Sequence, residues 1–513
     1  MYLTQLLHRG KQCRHAHTAL VCGDVRRSYA DLHDRVARLA GHLQALGVKP
    51  GDRVALLSMN SIESVEIMLA AWWTGAIACP INTRWSQAEI VTSLDDCTPS
   101  VLLYDDAHTH LAAPLRERVA SLRHAIRIDN ATPGGADDYM ALVASAQPVP
   151  DGRFGGEHLA ALLYTGGTTG RSKGVMLSHR ALWAACMSRL ADNANMAQNV
   201  CLLSTTLFHV AGLIRVFPTL TAGGTCVILP QFRADEAMRV IEREGVTELA
   251  VVPSMLQMIL DHPEFSPQRL KSLRRLNYGA APSARALLQR TAAILPWAGL
   301  SQAYGMTESM AVATLSQPED HTEEGWQNGR ATSAGRACTG VDVRIVDEAG
   351  NDAPFGQVGE IVLGGALVSP GYWNRPEETA STFRDGWLFT GDAGSMDADG
   401  YLYVVDRIKD MIVTGGENVY SAEVENALAQ HPAVSMCSVI GIPSEQWGEA
   451  VHAIVVPRDG IEVDEALLKS HCRELVAHYK VPKSIEFASE LPLTPVGKVA
   501  KNVLRARHWA GRG

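Results

Sequence analysis

Residues 159–182 read LAALLYTGGTTGRSKGVMLSHRAL: an apolar run, a loop of glycine, threonine and one lysine, and a segment that opens a helix at Ser178. This is the composition that holds a polyphosphate. Glycines such as Gly167 and Gly170 let backbone N–H groups turn toward phosphate oxygens. The hydroxyls of Thr165, Thr168 and Thr169 can donate hydrogen bonds, and Lys173 adds charge. The loop is not of the P-loop kinase or GTPase kind, because a GxxxxGK[ST] pattern begun at Gly166 would need glycine where Arg171 stands.

Working outward, the flanking sequence alternates strand and helix patterns. Ser28 is placed to cap a helix in which Leu32, Val36, Leu39, Leu43 and Leu46 recur every three or four residues, and Gly47 ends it. DRVALLS, GAIACPIN and SVLLYD read as strands, separated by helices over 62–73 and 87–94. The rhythm resumes with TCVILP, a helix over 235–244, ELAVVPS and a helix beginning near Met255. Such alternation predicts an α/β fold with parallel or mixed sheets and flanking helices. From about residue 340, short alternating strands split by Gly, Pro and Asn/Asp turn signals predict a β subdomain. Beyond DRIKDMIVTGGEN, a helix, two strands, a helix and a strand make an α+β set of about 100 residues, a usual small-domain size. The expected division is an N-terminal domain over 1–406 and a C-terminal domain over 407–513.

Bulk properties exclude several classes. With 513 residues, 46% hydrophobic and 20% charged, the chain can bury a large core and is neither disordered nor coiled coil. A net charge of −9 offers no general attraction for nucleic acid or anionic lipid, so phosphates must be held by local geometry. Ten scattered cysteines without a CxxC pair or zinc spacing suit a reducing, cytoplasmic setting. No apolar run is long enough for a membrane span, and the basic start MYLTQLLHRGKQCRHAH reads as a first helix of the fold, with a transit peptide the alternative.

Further motifs follow in order: QAYGMTES (302–309), GWLFTGD (386–392), DRIKDMIVTGGENVYSAEVE (406–425) and PLTPVGK ending at Lys498. Together with the glycine-rich loop they resemble the signatures of the acyl-adenylate-forming superfamily of acyl-CoA synthetases, luciferases and adenylation domains, acyl-CoA synthetases most of all. The resemblance covers essentially the whole chain. The loop departs from it at Gly166, where serine is usual, and at Ser172, often proline, so one phosphate-facing hydroxyl is missing.

What the resemblance implies is an acid:CoA ligase using ATP, Mg²⁺ and coenzyme A, with a small-molecule carboxylic acid as substrate, no nucleic-acid partner and a possible homo-oligomer. Glu308 would be the metal carboxylate, Thr307 would contact the α-phosphate and Tyr304 would pack on adenine. Gly279, Ala280 and Ala281 of NYGAAP would also face adenine, Asp392 and Arg407 would hold ribose, and Lys498 would be the catalytic lysine. Gly415 and Gly416 would admit pantetheine, and Lys409 matches a hinge about which a mobile C-terminal domain rotates between adenylation and thioester formation.

LFHVAGLIRVF places His209 beside the acyl carboxylate by the same resemblance. Val210, Ala211, Gly212 and Leu213, with Met306 and Met310, predict a mainly apolar pocket for a fatty or aromatic acid. Arg215 is the cation a dicarboxylate such as malonate would need. Adenylate transfer to a carrier protein, luciferase-like oxidation and a silent nucleotide-binding module are the other readings. The last is disfavoured because Thr165, Glu308, Asp392, Arg407 and Lys498 are all present.

Overall fold

The strands expected before residue 105 form at Arg53–Leu57, Ile77–Pro80 and Val101–Tyr104, mutually parallel because helices cross between them. The computed structural model describes residues 1–128, 139–165, 172–193, 196–281, 283, 285–458, 460–493 and 499–509. With His124–Arg127 and Leu159–Thr165, those strands make the parallel part of a six-stranded sheet. Its last strand, Lys173–Ser178, runs antiparallel to Leu159–Thr165. The sequence placed no strand between the glycine-rich loop and the following helix. Thr165 pairs with Lys173 across the two strands, and Val175 and Leu177 bury their side chains along the second. Ser178 then caps helix His179–Ala191 as expected, its Oγ accepting from the Ala181 N–H at 3.1 Å.

A nine-stranded sheet carries the second run of alternation. Thr225–Ile228, Val200–Leu203, Glu248–Val251, Arg275–Gly279 and Gly299–Tyr304 lie side by side and parallel. The early strand Thr18–Cys22 joins the same sheet beside Thr225–Ile228, a pairing across about 200 residues that no local pattern announces. Helix Tyr29–Ala45 has the capping box of Ser28 and Asp31 and buries Leu32, Val36, Leu39 and Leu43. Helix Ile62–Thr74 is buried all round, and one hydrophobic cluster runs from it through both large sheets. The N-terminal helix Gln5–Arg14 buries Leu6 and Leu7 in that cluster.

Val341–Val346, Gly359–Gly365, Trp387–Met396 and Leu402–Arg407 form an antiparallel sheet, the expected β subdomain. From Ile412 on, a separate five-stranded sheet has its own apolar clusters around Val439, Val451 and Leu468 and around Ile440 and Leu504. A short 3-10 turn, Ile408–Asp410, connects the two regions. No helix among the described residues is long and apolar enough to cross a membrane, and all ten cysteines are free.

Candidate active site

In an open parallel sheet, ligands bind where the loops leave the carboxyl ends of the strands. Three expected site segments leave the nine-stranded sheet at that edge: His209 follows Val200–Leu203, Ala280 and Ala281 follow Arg275–Gly279, and Thr307 and Glu308 follow Gly299–Tyr304. Thr165 ends a strand of the six-stranded sheet that lies parallel to Ile77–Pro80. The edge also holds unusual backbone: Ala280, Met310 and Ala311 have φ of 65°, 53° and 73°. Left-handed conformations at residues with a Cβ cost about 1–3 kcal/mol each and gather at ligand sites. Gly279 has a structural duty as well, since a Cβ there would stand 2.3 Å from the Ala303 carbonyl oxygen of the neighbouring strand.

Asp392 and Arg407 face each other across antiparallel strands. The Arg407 Nε forms an ion pair with Asp392 Oδ1 at 2.7 Å, and the Tyr304 hydroxyl donates to Oδ2 at 2.8 Å. Two residues from two other motifs therefore converge on the Asp392 carboxylate, which is only 6% exposed. Burial and the Asp392 charge hold the Tyr304 phenol well above its usual range, so it stays a donor.

Glu308 is buried one strand connection away. Its Oε1 accepts from the Tyr372 hydroxyl at 2.8 Å, and its backbone carbonyl accepts from the Ser369 N–H at 2.8 Å. Ser369 Oγ also donates to the Met176 carbonyl, tying this turn to the strand that follows the glycine-rich loop. Burial raises the Glu308 carboxyl above its ordinary value, while the Tyr372 hydrogen bond and the charges of Arg407 and Lys173 pull the other way. No lysine or arginine among the described residues pairs with it. A buried carboxylate facing distant cations, with acceptor capacity left over, fits a hard, oxygen-seeking ion such as Mg²⁺. Tyr372 was missed from the sequence because GYWNRPEET carries no signal beyond turn composition.

Lys173 pairs with Glu378 and lies 5.2 Å from the centre of the Tyr372 ring, so its ammonium must leave Glu378 to meet a phosphate. Gly167, Thr168, Thr169, Gly170 and Lys498 lie outside the described residues. His209 stands at the N-cap of helix Val210–Ala222 with its ring 4.6 Å from that of Phe208. Val210, Leu213 and Met310 belong to the large buried cluster that spans both sheets, and Met306 packs against that cluster.

Arg215 does not. It is buried and donates to Glu248 Oε1 at 3.0 Å, beside Arg189 at 2.8 Å and Asn277 at 2.8 Å. Burial lowers its guanidinium to about 10. Burial alone would raise Glu248, but Arg189 and Arg215 more than offset it. Arg215 is thus a structural cation, and the role expected of it toward a dicarboxylate is withdrawn. Helix geometry explains the error: Arg215 sits on the face of its helix turned into the sheet.

Gly415 and Gly416 form the two-residue turn between Ile412–Thr414 and Glu417–Val419, with φ of 61° and 85°. A Cβ on Gly415 would approach the Trp447 ring to 3.0 Å, whereas one on Gly416 would meet open space.

The family described as AMP-binding enzyme matches residues 7–373, and its C-terminal domain family matches 423–498. A feruloyl-CoA synthase of Amycolatopsis sp is 40% identical over 502 residues, 98% of each chain. The medium/long-chain-fatty-acid–CoA ligase FadD8 of Mycobacterium tuberculosis is 38% identical over 96% of this chain and 88% of its own. The ATP-bound crystal structure of MatB from Rhodopseudomonas palustris superposes with a TM-score of 0.90 at 32% identity, covering 99% of both chains.

Proposed function

Because the chain belongs to the AMP-binding enzyme family, we propose that it is an acid:CoA ligase that converts a carboxylic acid with an apolar tail to its acyl-adenylate and then to its CoA thioester. The observation that carries this reading is the meeting of Tyr304, Asp392 and Arg407 beside buried Glu308, at the sheet edge where a nucleotide would lie.

Adenine lies against Gly279, Ala280, Ala281 and the Tyr304 ring in this reading, and the Tyr304 hydroxyl fixes Asp392 so that its carboxylate accepts from the ribose hydroxyls. Arg407 holds that carboxylate in place through their ion pair. The glycine-rich loop between Thr165 and Lys173 cradles the β- and γ-phosphates through backbone N–H groups and threonine hydroxyls. Glu308 would hold the Mg²⁺ that arrives with ATP, and the ion would supply charge to offset that of the triphosphate. The acid's carboxylate, beside His209, attacks the α-phosphorus in line; the bond to pyrophosphate breaks and the pyrophosphate leaves. Thr307 and Lys498 donate to the oxygens on which charge accumulates. In the second step the CoA sulfur, deprotonated, attacks the acyl carbonyl, and AMP departs with the C–O bond electrons.

Ferulate and medium- or long-chain fatty acids, the acids of the two relatives, both join a carboxylate to an apolar body. The cluster of Val210, Leu213, Met306 and Met310 suits such a tail, and Arg215 is unavailable to pair a second carboxylate. Transfer to a carrier protein is the alternative for the second step. Purified enzyme given ATP, Mg²⁺ and a panel of aromatic, aliphatic and dicarboxylic acids should release pyrophosphate with the first two groups and make thioester with free CoA. Preference for a phosphopantetheine protein over CoA, or release only with dicarboxylates, would overturn the assignment.

A further inference from the structure

The C-terminal region carries a cluster of metal-ligating side chains that adenylation does not use. His452 lies on strand Gly448–Pro457, Glu486 on the adjacent parallel strand Ser484–Phe487, and His508 on the last helix, Lys501–Trp509. Register places His452 opposite Ser484 and Ile454 opposite Glu486, so Glu486 sits diagonally from His452 on the same face of the sheet. Helix Lys501–Trp509 packs across that face, and the Trp509 indole N–H donates to the Gly441 carbonyl at 3.1 Å beyond His508.

The side chains converge. His452 Nε2 is 3.7 Å and His508 Nε2 is 3.9 Å from the same Glu486 oxygen, and the ligand atoms of all three residues lie within 4.8 Å of one another. These separations are too long for hydrogen bonds. They approach what an ion requires: with bonds of about 2.0–2.1 Å, the ligand atoms of a tetrahedral site stand about 3.3–3.5 Å apart. His452 is 5% exposed, and among the described residues its Nε2 has no hydrogen-bond partner although it points into the cluster. A buried ring nitrogen left without a partner costs about 1–3 kcal/mol, so the site asks for a group to complete it.

The other face of the His452 ring system is already arranged. Its Nδ1 is 2.7 Å from the Ser484 hydroxyl, the kind of outer contact that fixes the tautomer and turns the remaining nitrogen's lone pair toward a metal. Glu486 and His508 are partly exposed, which gives an ion an entry path and leaves room for water as a fourth ligand. Two imidazoles and one carboxylate favour a borderline d-block ion over Mg²⁺ or Ca²⁺, which take oxygen ligands.

From this geometry we infer that His452, Glu486 and His508 form a second metal site, distinct from the nucleotide's Mg²⁺, that binds Zn²⁺ or a similar divalent transition ion and pins the C-terminal helix to its sheet. The test uses the full-length protein with Mg²⁺ saturating, so that oxygen-ligand sites are filled, and Zn²⁺ delivered against a chromophoric chelator. Wild type should bind one more equivalent of Zn²⁺ than Glu486→Gln or His508→Ala, both altered at partly exposed positions where folding is not at stake. Zn²⁺ should also raise the melting temperature of wild type and of neither variant. Ser484→Ala should keep the site but weaken it about 10–100-fold. Co²⁺ should give visible bands of low coordination number in wild type alone. Identical Zn²⁺ stoichiometry and melting shifts in wild type and both variants would place the metal on other histidines or cysteines and overturn the proposal, as would the absence of Zn²⁺ binding in wild type.

Discussion

At the scale of a single residue, Glu308 shows function set against stability. Burial raises its carboxyl above the ordinary carboxylate value, so folding penalises the charged form relative to the unfolded chain. The folded state then binds more protons than the unfolded one as pH climbs through this window, and the group's contribution to stability is lost with rising pH. Glu308→Gln keeps an oxygen to accept from Tyr372 and removes the ionisation. The variant should melt at a higher temperature than wild type in the absence of ATP, with the gap opening as pH rises above 4.5, while pyrophosphate release falls on the order of 10²-fold. Calorimetry across a pH series and a pyrophosphate assay at limiting Mg²⁺ check the two halves. Unchanged activity at limiting Mg²⁺ would remove Glu308 from the metal's ligands.

Elements explain what their residues cannot. Glu248, at the start of strand Glu248–Val251, receives Arg189 from helix His179–Ala191, Arg215 from helix Val210–Ala222 and Asn277 from the next strand. Glu248→Ala would leave two buried guanidinium groups without their carboxylate, and the N-terminal unfolding transition should lose about 3–5 kcal/mol, measured in denaturant. The turn at Gly415 and Gly416 separates backbone need from passage of a ligand. Both residues have positive φ, so a bulky side chain at Gly416 would strain the turn whatever its function. Asparagine tolerates that conformation. Gly416→Asn should therefore fold and form adenylate normally, yet transfer the acyl group to CoA at least tenfold more slowly if pantetheine passes there. Equal rates of transfer would leave the glycine pair as a turn alone.

For the whole molecule, the question is how one C-terminal domain serves both steps. In the function we propose, Lys498 reaches the α-phosphate for adenylation and the glycine pair faces the adenylate for transfer, and one domain can do both only by rotating, which we assign to the 3-10 turn Ile408–Asp410. That turn is clasped in the present arrangement: the Arg505 guanidinium donates to the Lys409 carbonyl at 3.0 Å and to the Asp410 carboxylate at 2.9 Å. Proline at 409 suits a turn of this kind and resists other backbone angles. Lys409→Pro should slow thioester formation from preformed adenylate by 10-fold or more, on the order expected of a blocked hinge, and spare adenylation. Lys498→Ala should do the reverse, with adenylation losing about 2.7–4 kcal/mol of transition-state stabilisation. Separate assays of the two half-reactions decide it, and equal losses in both steps for both variants would defeat the rotation.

Local chemistry made much of this protein legible. The helix at Ser28, the parallel strands and their crossover helices and the β subdomain follow from periodicity, caps and spacing, because those depend on neighbours in the chain, whereas Tyr304, Glu308, Asp392 and Arg407 are marked out by the resemblance of their motifs to a known family. Tertiary structure alone decided the rest. Strand Thr18–Cys22 finds its partner in Thr225–Ile228 through a shared core rather than a turn. Arg215 is spent on Glu248, since helix Val210–Ala222 turns that face to the sheet. Tyr372 reaches Glu308, and His452, Glu486 and His508 meet, from stretches whose sequences carry no motif. Side chains brought together by packing leave no periodic trace, so the strand pairings and second-layer partners of the site become visible only when the chain is folded.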